Sequence, residues 1–288
     1  MEDQINTESK QQQDNNAIFN VFKNEFASTT NMVYVNSLER EVPFREVSVT
    51  EQKTLSKTMI ENESRKDIGY DTQCALINRL CLEDGFDIYT LTEFDRIRIL
   101  MEIYQNNYYK NEITWKCQEC GAENLFVLDF KEVSRKFNSF DLSDKTYSVE
   151  DNVRVYNFTL NYPKVRNVSN FYKSYMKKYK GVGQKERDVL DNLGNLEYIN
   201  LFIKQIEMVN KADPSNRQVA DLTFMSYNQI EQLISLFPQN VIFGEEHGVI
   251  KQITTEFLEK LNNVFKYEKC KQCGAESQQG MGSVVDFF

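Results

Sequence analysis

Two short cysteine motifs carry most of the chemistry that this chain could perform. Both read C-x-x-C-G-A-E, and their cysteines are Cys117, Cys120, Cys270 and Cys273. Two residues between the cysteines let both thiolates of one tight turn reach the same ion, and the glycine that follows suits the positive φ that closes such a turn. Four thiolates are the ligand set of a closed, tetrahedral zinc site. We therefore predict that all four cysteines bind one structural Zn²⁺.

The distance between the two motifs along the chain is unusual for a zinc site. Between Cys120 and Cys270 lie 149 residues, whereas a compact zinc ribbon separates its two cysteine pairs by roughly 15–20 residues. One shared ion would therefore join the middle of the chain to its far end. Four thiolates leave no open coordination position, so the expected role is structural and not catalytic.

Two other chemistries are open to paired cysteines. A thiol redox pair normally lies at the start of a helix next to a βαβ pattern, and neither motif has that setting. Redox chemistry also does not explain two matching copies. Disulfides are the second alternative, but six cysteines in 288 residues are not the dense pattern of a disulfide-stabilised scaffold. Thiols spaced for a metal instead fit a reducing cytoplasm.

Length, composition and charge narrow the classes of protein. The 288 residues are 41% hydrophobic, enough for a real core in one or two domains. The sequence contains no run of eighteen apolar residues, so no membrane span is predicted. The polar start at Met1-Glu2-Asp3-Gln4 is unlike a secretory signal. The net charge of −9 argues against a nucleic-acid partner, because such affinity depends on basic residues that neutralise phosphates.

One basic cluster, in contrast, is a candidate binding surface for nucleic acid. Its lysines and tyrosines alternate irregularly along one segment, at Tyr172, Lys173, Tyr175, Lys177, Lys178, Tyr179 and Lys180. At helical spacing, this pattern is more typical of a solvated face above an aromatic stripe than of a nucleic-acid platform.

Residues for catalysis are scarce. His247 is the one histidine of the chain, it lies in a glycine-flanked loop, and no sequence rule pairs it with a nucleophile. Gly181-Val182-Gly183 lacks the frame of a phosphate-binding loop and reads as a turn between helices. We therefore predict that the protein is not an enzyme.

Helix signals dominate the chain before the first cysteine motif. They are the capping box Ser48/Glu51 with a helix through about Asn62, apolar positions over Asp67–Leu82, and the box Thr90/Glu93 before the apolar series Phe94, Ile97, Met101, Tyr104 and Tyr108. Cys74 and Cys81 lie seven residues apart on the second helix. We predict that they are buried core thiols and not metal ligands.

Strand signals follow the first motif, and helix signals then return. Strands are predicted at 124–130 and in a hairpin within 147–162 that Pro163 ends. Helices are predicted from about 169 to 210, with Leu196, Ile199, Ile203, Ile206 and Val209 on one face, after the Ser226/Gln229 capping box, and from about 254 to 265. A short strand over 264–269 should lead into the second motif.

These elements predict an α+β protein that is mainly helical, with a small antiparallel β insertion resembling a zinc ribbon. Five parts follow along the chain: a polar, disordered arm (1–31), an N-terminal helical part (32–112), the β insertion with the first cysteine motif (113–163), a C-terminal helical part (164–266), and the second motif with a tail that completes the ribbon (267–288).

The order of several segments resembles the baseplate (hub) protein family of T-even-type contractile-tailed phages, over roughly residues 34–288. These segments are the opening stretch Tyr34 to Phe44, a helix start near Glu51-Gln52-Lys53-Thr54-Leu55, Leu91-Thr92-Glu93-Phe94-Asp95, Val127-Leu128-Asp129, Tyr162-Pro163, the two cysteine motifs, and Asp286-Phe287-Phe288.

The resemblance implies a tail-morphogenesis protein, in the baseplate or as a helper for hub assembly. Its partners would be other baseplate or hub proteins, and its location the virion tail and, during assembly, the host cytoplasm. The alternative is a zinc-ribbon factor associated with nucleic acid, which predicts binding to DNA or RNA that weakens steeply with salt.

Overall fold

The fold was analysed in a computed structural model that describes residues 30–62, 64–107, 112–127, 129–178, 180, 182, 194, 197–245, 247–262, 264 and 269–275. Several predicted features lie mostly or wholly outside these residues. They are the polar arm, the turn at 181–183 with the helical stretch after it, the strand over 264–269, and the tail beyond residue 275.

Helices alternate with short antiparallel strands along the chain. The helices are α1 (Val49–Glu61), α2 (Lys66–Leu80), α3 (Glu93–Asn107), α4 (Phe130–Asn138), α5 (Val165–Lys178), α6 (Tyr227–Ile234), α7 (Gln239–Phe243), α8 (Val249–Ile253) and α9 (Lys260–Asn262), with a π-helical turn at Thr254–Glu259 between the last two. The strands are β1 (Thr30–Val35), β2 (Arg40–Arg45), β3 (Glu112–Lys116), β4 (Glu123–Val127), β5 (Lys145–Glu150), β6 (Arg154–Leu160), β7 (Ile203–Asn210) and β8 (Arg217–Asp221).

The strands form three separate sheets. β1 pairs with β2, β3 pairs with β4, and the largest sheet has the order β5-β6-β7-β8 with all neighbours antiparallel. The predicted α+β class is therefore confirmed.

The β1–β2 hairpin was not predicted, because its segment falls in the part expected to be helical. Val33 and Val35 on β1 are buried, as are Val42 and Phe44 on β2, while their neighbours are more exposed. This alternation is the period of a strand with one face on the core. Glu39 closes the turn at a positive φ of 52°.

The helix predicted to continue to residue 210 was also wrong, because residues 203–210 form β7. The buried side chains of Ile203 and Ile206 lie three residues apart, which looks helical in the sequence. A shift in register produces that spacing: Leu160 of β6 pairs with Ile203 and Thr159 with Gln205, so Lys204 is skipped. The extra residue of such a bulge shifts the alternation by one, so two residues three positions apart lie on the same face of the sheet.

The β insertion predicted for 113–163 is interrupted. β4 ends at Val127, and the Asp129 side chain accepts hydrogen bonds from the Lys131 and Glu132 amides at the start of α4. A carboxylate at this position caps the helix, so the strand predicted through Phe130 was wrong there. The predicted hairpin of β5 and β6 is present, but it pairs onward with β7. The five-part division of the chain itself stays a prediction.

Local capping rules succeed at two helices and fail at a third. The Ser48/Glu51 and Ser226/Gln229 boxes both form. At α3, however, Asp95 accepts hydrogen bonds from the Thr92 backbone amide and hydroxyl. The box predicted at Thr90 and Glu93 was therefore misplaced by two residues.

Helix α3 separates two hydrophobic cores. Phe94, Ile97 and Met101 pack into the core beneath the four-stranded sheet, which we call the sheet core. Ile99, Leu100 and Ile103 pack with β1, β2, α2 and α5 in what we call the hairpin core. Every residue from Glu93 to Met101 is buried, so the single apolar stripe predicted for this helix was incomplete. A helix that is buried all round lies at the centre of a fold.

The two cysteines outside the two cysteine motifs lie in and beside the hairpin core. Cys74 is fully buried on α2, as predicted. Cys81 lies just beyond the end of α2, is partly exposed, and forms a β-bridge with Phe44. The prediction that both thiols share one helical face therefore fails for Cys81.

A pH-dependent contribution to stability is predicted at the start of α1. The Arg45 guanidinium, with the Ser48 amide and hydroxyl, lowers the pKa of Glu51 from 4.5 to about 2. A carboxyl group whose pKa is lower in the folded state stabilises above its unfolded pKa, and this stabilisation is lost as pH falls towards 2. We expect Glu51→Gln to lower the free energy of unfolding by about 1–2 kcal/mol at pH 7 and by little at pH 2.

Urea unfolding at pH 7, 4 and 2 measures this difference. Glu61→Gln is the matched control, because Glu61 lies at the exposed end of the same helix and pairs with the exposed Lys57 at 3.7 Å. That change should cost less than about 0.5 kcal/mol at every pH. A loss for Glu51→Gln that is the same at pH 7 and pH 2 would contradict the assignment.

Candidate metal centre

The two cysteine motifs meet in space. The four Sγ atoms lie within 4.8 Å of one another, and the closest pairs join the two motifs: Cys117 to Cys273 at 3.6 Å and Cys120 to Cys270 at 3.6 Å. Zinc–sulfur bonds of about 2.3 Å in a tetrahedron place the sulfurs about 3.8 Å apart. A disulfide would instead require about 2.0 Å. The spacing therefore suits four ligands around one metal ion.

The backbones of the two motifs have the same conformation. Gly121 has a φ of 72° and Gly274 a φ of 74°. Their amides donate to the carbonyl oxygens of Cys117 and Cys270, both at 2.9 Å. Among the described residues, apart from each glycine and its two chain neighbours, no atom lies within 4 Å of a Cβ built on either glycine. The positive φ, and not a lack of space, is therefore the reason for glycine.

Neighbouring elements hold the two turns in place. The first turn joins β3 to β4, which pair in register from Glu112 and Val127 to Lys116 and Glu123. The second follows Val264, which is buried in the sheet core. Cys117 and Cys270 are buried, whereas Cys120 and Cys273 are exposed. One side of the site therefore faces the protein and the other side faces solvent.

Asn124 connects the two turns and was missed by the sequence analysis. Its side chain is buried. Nδ2 donates to the Ala122 carbonyl at 3.0 Å and approaches Cys270 Sγ at 3.5 Å, while Oδ1 accepts from the Lys271 amide at 2.9 Å. Polar groups around metal ligands orient the ligands and tune the metal. Only the position of Asn124 directly after the first motif hints at this role in the sequence.

The electrostatics of the cluster favour a cation. The amides of Cys273 and Gln272, with Asn124, lower the pKa of Cys270 to about 6. Although the Ala122 amide favours the Cys120 thiolate, desolvation and the neighbouring sulfurs raise the pKa of Cys120 to about 12. One cysteine therefore ionises readily, whereas the neighbouring sulfurs oppose ionisation of a second cysteine. A bound cation removes this opposition because it stabilises thiolates directly.

The lysine and tyrosine cluster is a solvated face above the hairpin core. Lys173 pairs with Asp71 at 2.7 Å, and Lys178 pairs with Glu197 at 2.8 Å. Tyr175 is buried, and Tyr172 packs against the hairpin core. These two tyrosines form the aromatic stripe that the sequence predicted below the charged face, whereas Tyr179 lies outside the described residues.

His247 lies in the exposed loop between α7 and α8.

Three of the segments on which the family resemblance rests meet at the start of α3: the opening stretch, Leu91 to Asp95, and Tyr162-Pro163. The Glu93 amide donates to the Pro163 carbonyl at 2.8 Å, and the Val165 amide donates to the Leu91 carbonyl at 2.9 Å. The opening segment joins them because the Ser37 amide donates to Asp95 Oδ1 at 3.2 Å. These segments therefore form one structural junction between the two cores.

Four buried polar side chains form a hydrogen-bonded network beside that junction. Arg96 Nε donates to both Glu93 oxygens at 2.9 and 3.0 Å, Arg96 Nη1 donates to Gln73 Oε1 at 2.9 Å, and Tyr70 donates to Glu93. Each of these side chains is less than 10% exposed. Nothing in the helical periodicity predicted a buried ion pair.

In the part of the chain that the structure describes, no helix combines the length and apolar character needed to span a membrane.

Comparison with known proteins agrees with the resemblance. A family model described as T4 bacteriophage base plate protein matches residues 27–288, nearly the whole chain. No characterised protein and no solved structure shows significant similarity. The matched region includes both cysteine motifs and the junction at α3. The chain therefore belongs to the T4 bacteriophage base plate protein family.

Proposed function

We propose that this protein is a non-enzymatic structural or assembly component of a contractile phage tail baseplate or hub, and that one zinc ion stabilises its fold. The ligands would be Cys117, Cys120, Cys270 and Cys273. Family membership supports the role in the tail. The approach of four sulfurs from distant parts of the chain is the observation that supports the metal.

The donor set favours zinc among the metals available in cells. Four thiolates in a tetrahedral arrangement select zinc or an iron–sulfur centre. The sulfur spacing of 3.6 Å between the motifs fits a single ion. The two matching turns resemble the knuckles of a zinc ribbon, with β3 and β4 as the hairpin that leads into one of them.

The proposed partners are other baseplate or hub proteins, in the virion tail and, before that, in the host cytoplasm during assembly. Exposed apolar side chains supply candidate contacts. Phe224 is 91% exposed in the turn between β8 and α6, and Leu236 is 79% exposed after α6. Large apolar groups in such positions mark interaction surfaces when they cluster.

Metal analysis of the purified protein tests the zinc. We expect one zinc per chain by mass spectrometry of the native protein. Removal by a chelator should lower the unfolding temperature by several degrees or more, because the binding free energy of a structural zinc is largely folding free energy. Zinc-free protein with unchanged melting, or two ions per chain, would contradict a single shared site.

Co-purification from infected cells tests the role in assembly separately. A tagged copy of the chain should bring down tail or hub proteins, identified by mass spectrometry. Recovery with nucleic acid, lost as salt is raised, would instead favour the nucleic-acid alternative.

Asn124 provides a sharper test of the metal geometry. We expect Asn124→Ala to weaken zinc binding by about 10–100-fold, because loss of a group that orients ligands has effects of this size. Competition with a zinc-binding dye measures the affinity. Asn152→Ala, in the exposed turn between β5 and β6, is the matched control and should leave affinity unchanged. Equal zinc affinities of the two variants would show that Asn124 does not contribute to zinc binding.

A further inference from the structure

A second candidate site lies away from the cysteines, at one side of the sheet core. It is a cavity of about 590 Å³ between the end of α4, the start of β5 and the turns around the π-helix. Its lining includes Phe140, Asp141, Lys145, Tyr162, Phe257 and Lys260. Protein interiors leave few voids larger than a water molecule, whereas ligand sites typically measure about 300–1,000 Å³. The cavity is therefore of the size of a binding site.

The backbone beside the cavity is unusual. Thr254–Glu259 forms a π-helical turn between α8 and α9, and it places Glu256 and Phe257 in the cavity wall. Short π-helical insertions are rare and are found frequently at functional sites.

Tyr162 supplies an independent indication of a ligand. Its ring lines the cavity, packs edge-on against Phe257 with ring centroids 5.0 Å apart, and is 6% exposed. Among the described residues its hydroxyl is buried without a hydrogen-bond partner. Buried polar groups are rarely left unpaired, and an exception calls for a water, an ion or another group that is not part of the chain.

The cavity wall carries three ammonium groups, on Lys136, Lys145 and Lys260, and two carboxylates, on Asp141 and Glu256. Asp141 accepts from Lys145, and Glu256 accepts from Lys260 and Tyr147. Each ammonium has three N–H donors. Lys260 uses one for Glu256, and Lys145 uses two, for Asp141 and Ser143. The wall therefore has an excess of one positive charge, which favours an anionic ligand.

We propose that this cavity binds a ligand with an apolar body of aromatic size and a carboxylate. The body would lie against the rings of Phe140, Tyr162 and Phe257, and the carboxylate would accept from Lys145, Lys260 and the Tyr162 hydroxyl. A free aromatic acid and an acidic, aromatic peptide segment both offer these groups. The proposal does not depend on the metal.

Fluorescence titration of the full chain with 8-anilinonaphthalene-1-sulfonate, an anionic aromatic probe, tests the chemistry. We expect saturable binding at one site, weakened at least about tenfold in the double variant Lys145→Glu/Lys260→Glu. Lys131→Glu/Lys251→Glu is the matched control: it makes the same change of charge, on α4 and α8, at two exposed lysines that are not in the cavity wall. Binding that is absent in the wild type, or equal in the double variant, overturns the proposal.

Competition then identifies the source of the ligand. Displacement of the probe by 3-phenylpropionate as well as by the peptide acetyl-Glu-Phe-amide supports a small aromatic acid. Displacement by the peptide alone supports a protein segment. Failure of both compounds at about 10 mM overturns the proposal, because weak fragments still bind in the millimolar range.

A measurement on the wild-type protein covers the case in which the double variant does not fold. Acetylation of lysines, read by mass spectrometry, should slow at least about threefold at Lys145 and Lys260 when 3-phenylpropionate or the peptide is present, and should not change at Lys251. Rates at Lys145 and Lys260 that change with neither compound overturn the proposal. Zinc measured in the same samples keeps this result separate from the metal.

Discussion

Replacing Cys273 with serine is expected to lower the free energy of unfolding by about 3 kcal/mol or more and to abolish tight zinc binding. Cys273 is exposed, so the change removes almost no packing. Its sulfur lies 3.6 Å from Cys117, a residue of the other motif. The loss would therefore measure the connection that the proposed metal would make between the middle of the chain and its far end. Urea unfolding with zinc present, together with metal analysis, gives both quantities.

Cys74→Ala is the comparison for that variant. Cys74 is fully buried but belongs to the hairpin core and not to the cysteine cluster. Its loss removes one small group from a packed interior, which should cost about 1 kcal/mol and leave the zinc content at one per chain. If Cys273→Ser melts like the wild type with zinc present, the proposed connection does not contribute to stability. A larger cost for Cys74→Ala than for Cys273→Ser would have the same meaning.

The second large effect is expected at the buried ion pair of α3. We expect Arg96→Ala to destabilise the protein by about 3–5 kcal/mol, because it leaves the Glu93 carboxylate buried without its main partner. The variant also removes the hydrogen bond to Gln73 and the guanidinium that lies 4.3 Å from the centre of the Tyr70 ring. Equilibrium unfolding at pH 7 measures the cost.

The chain contains a matched control for this variant. Arg135 and Glu132 on α4 have the same separation along a helix as Arg96 and Glu93, but the Arg135 side chain is 73% exposed. Arg135→Ala should therefore cost less than about 1 kcal/mol. Similar costs for the two arginine variants would show that burial does not determine the effect, and would contradict the role given to the α3 pair.

The position of that pair explains why its effect should be large. Glu93 is also the residue whose amide binds the Pro163 carbonyl, so it connects α3 to the segment between the four-stranded sheet and α5. Loss of its partner would disturb the sheet core and the hairpin core together, since α3 contributes side chains to both. We therefore expect a cooperative loss of structure and not a local one.

Several features of this protein were determined by short stretches of sequence. The two C-x-x-C-G motifs predicted two matching turns that each present a pair of thiols, because the spacing and the glycine of each turn depend only on local backbone geometry. The boxes at Ser48/Glu51 and Ser226/Gln229 marked the starts of α1 and α6 for the same reason. The alternation in β5 and β6 predicted their hairpin.

Other features depended on contacts between distant residues. Ile203 and Ile206 have the spacing of a helix, and only pairing with β6 through a bulge makes that segment a strand. Burial of α3 on all sides required two cores, and the polar side chains of Glu93 and Arg96 are stable there because each satisfies the other. Asn124 bridges the two cysteine turns only once they are adjacent. Local sequence thus determined the turns and caps, whereas tertiary packing decided which segments pair and which polar groups are buried, since those energies arise between residues far apart in the chain.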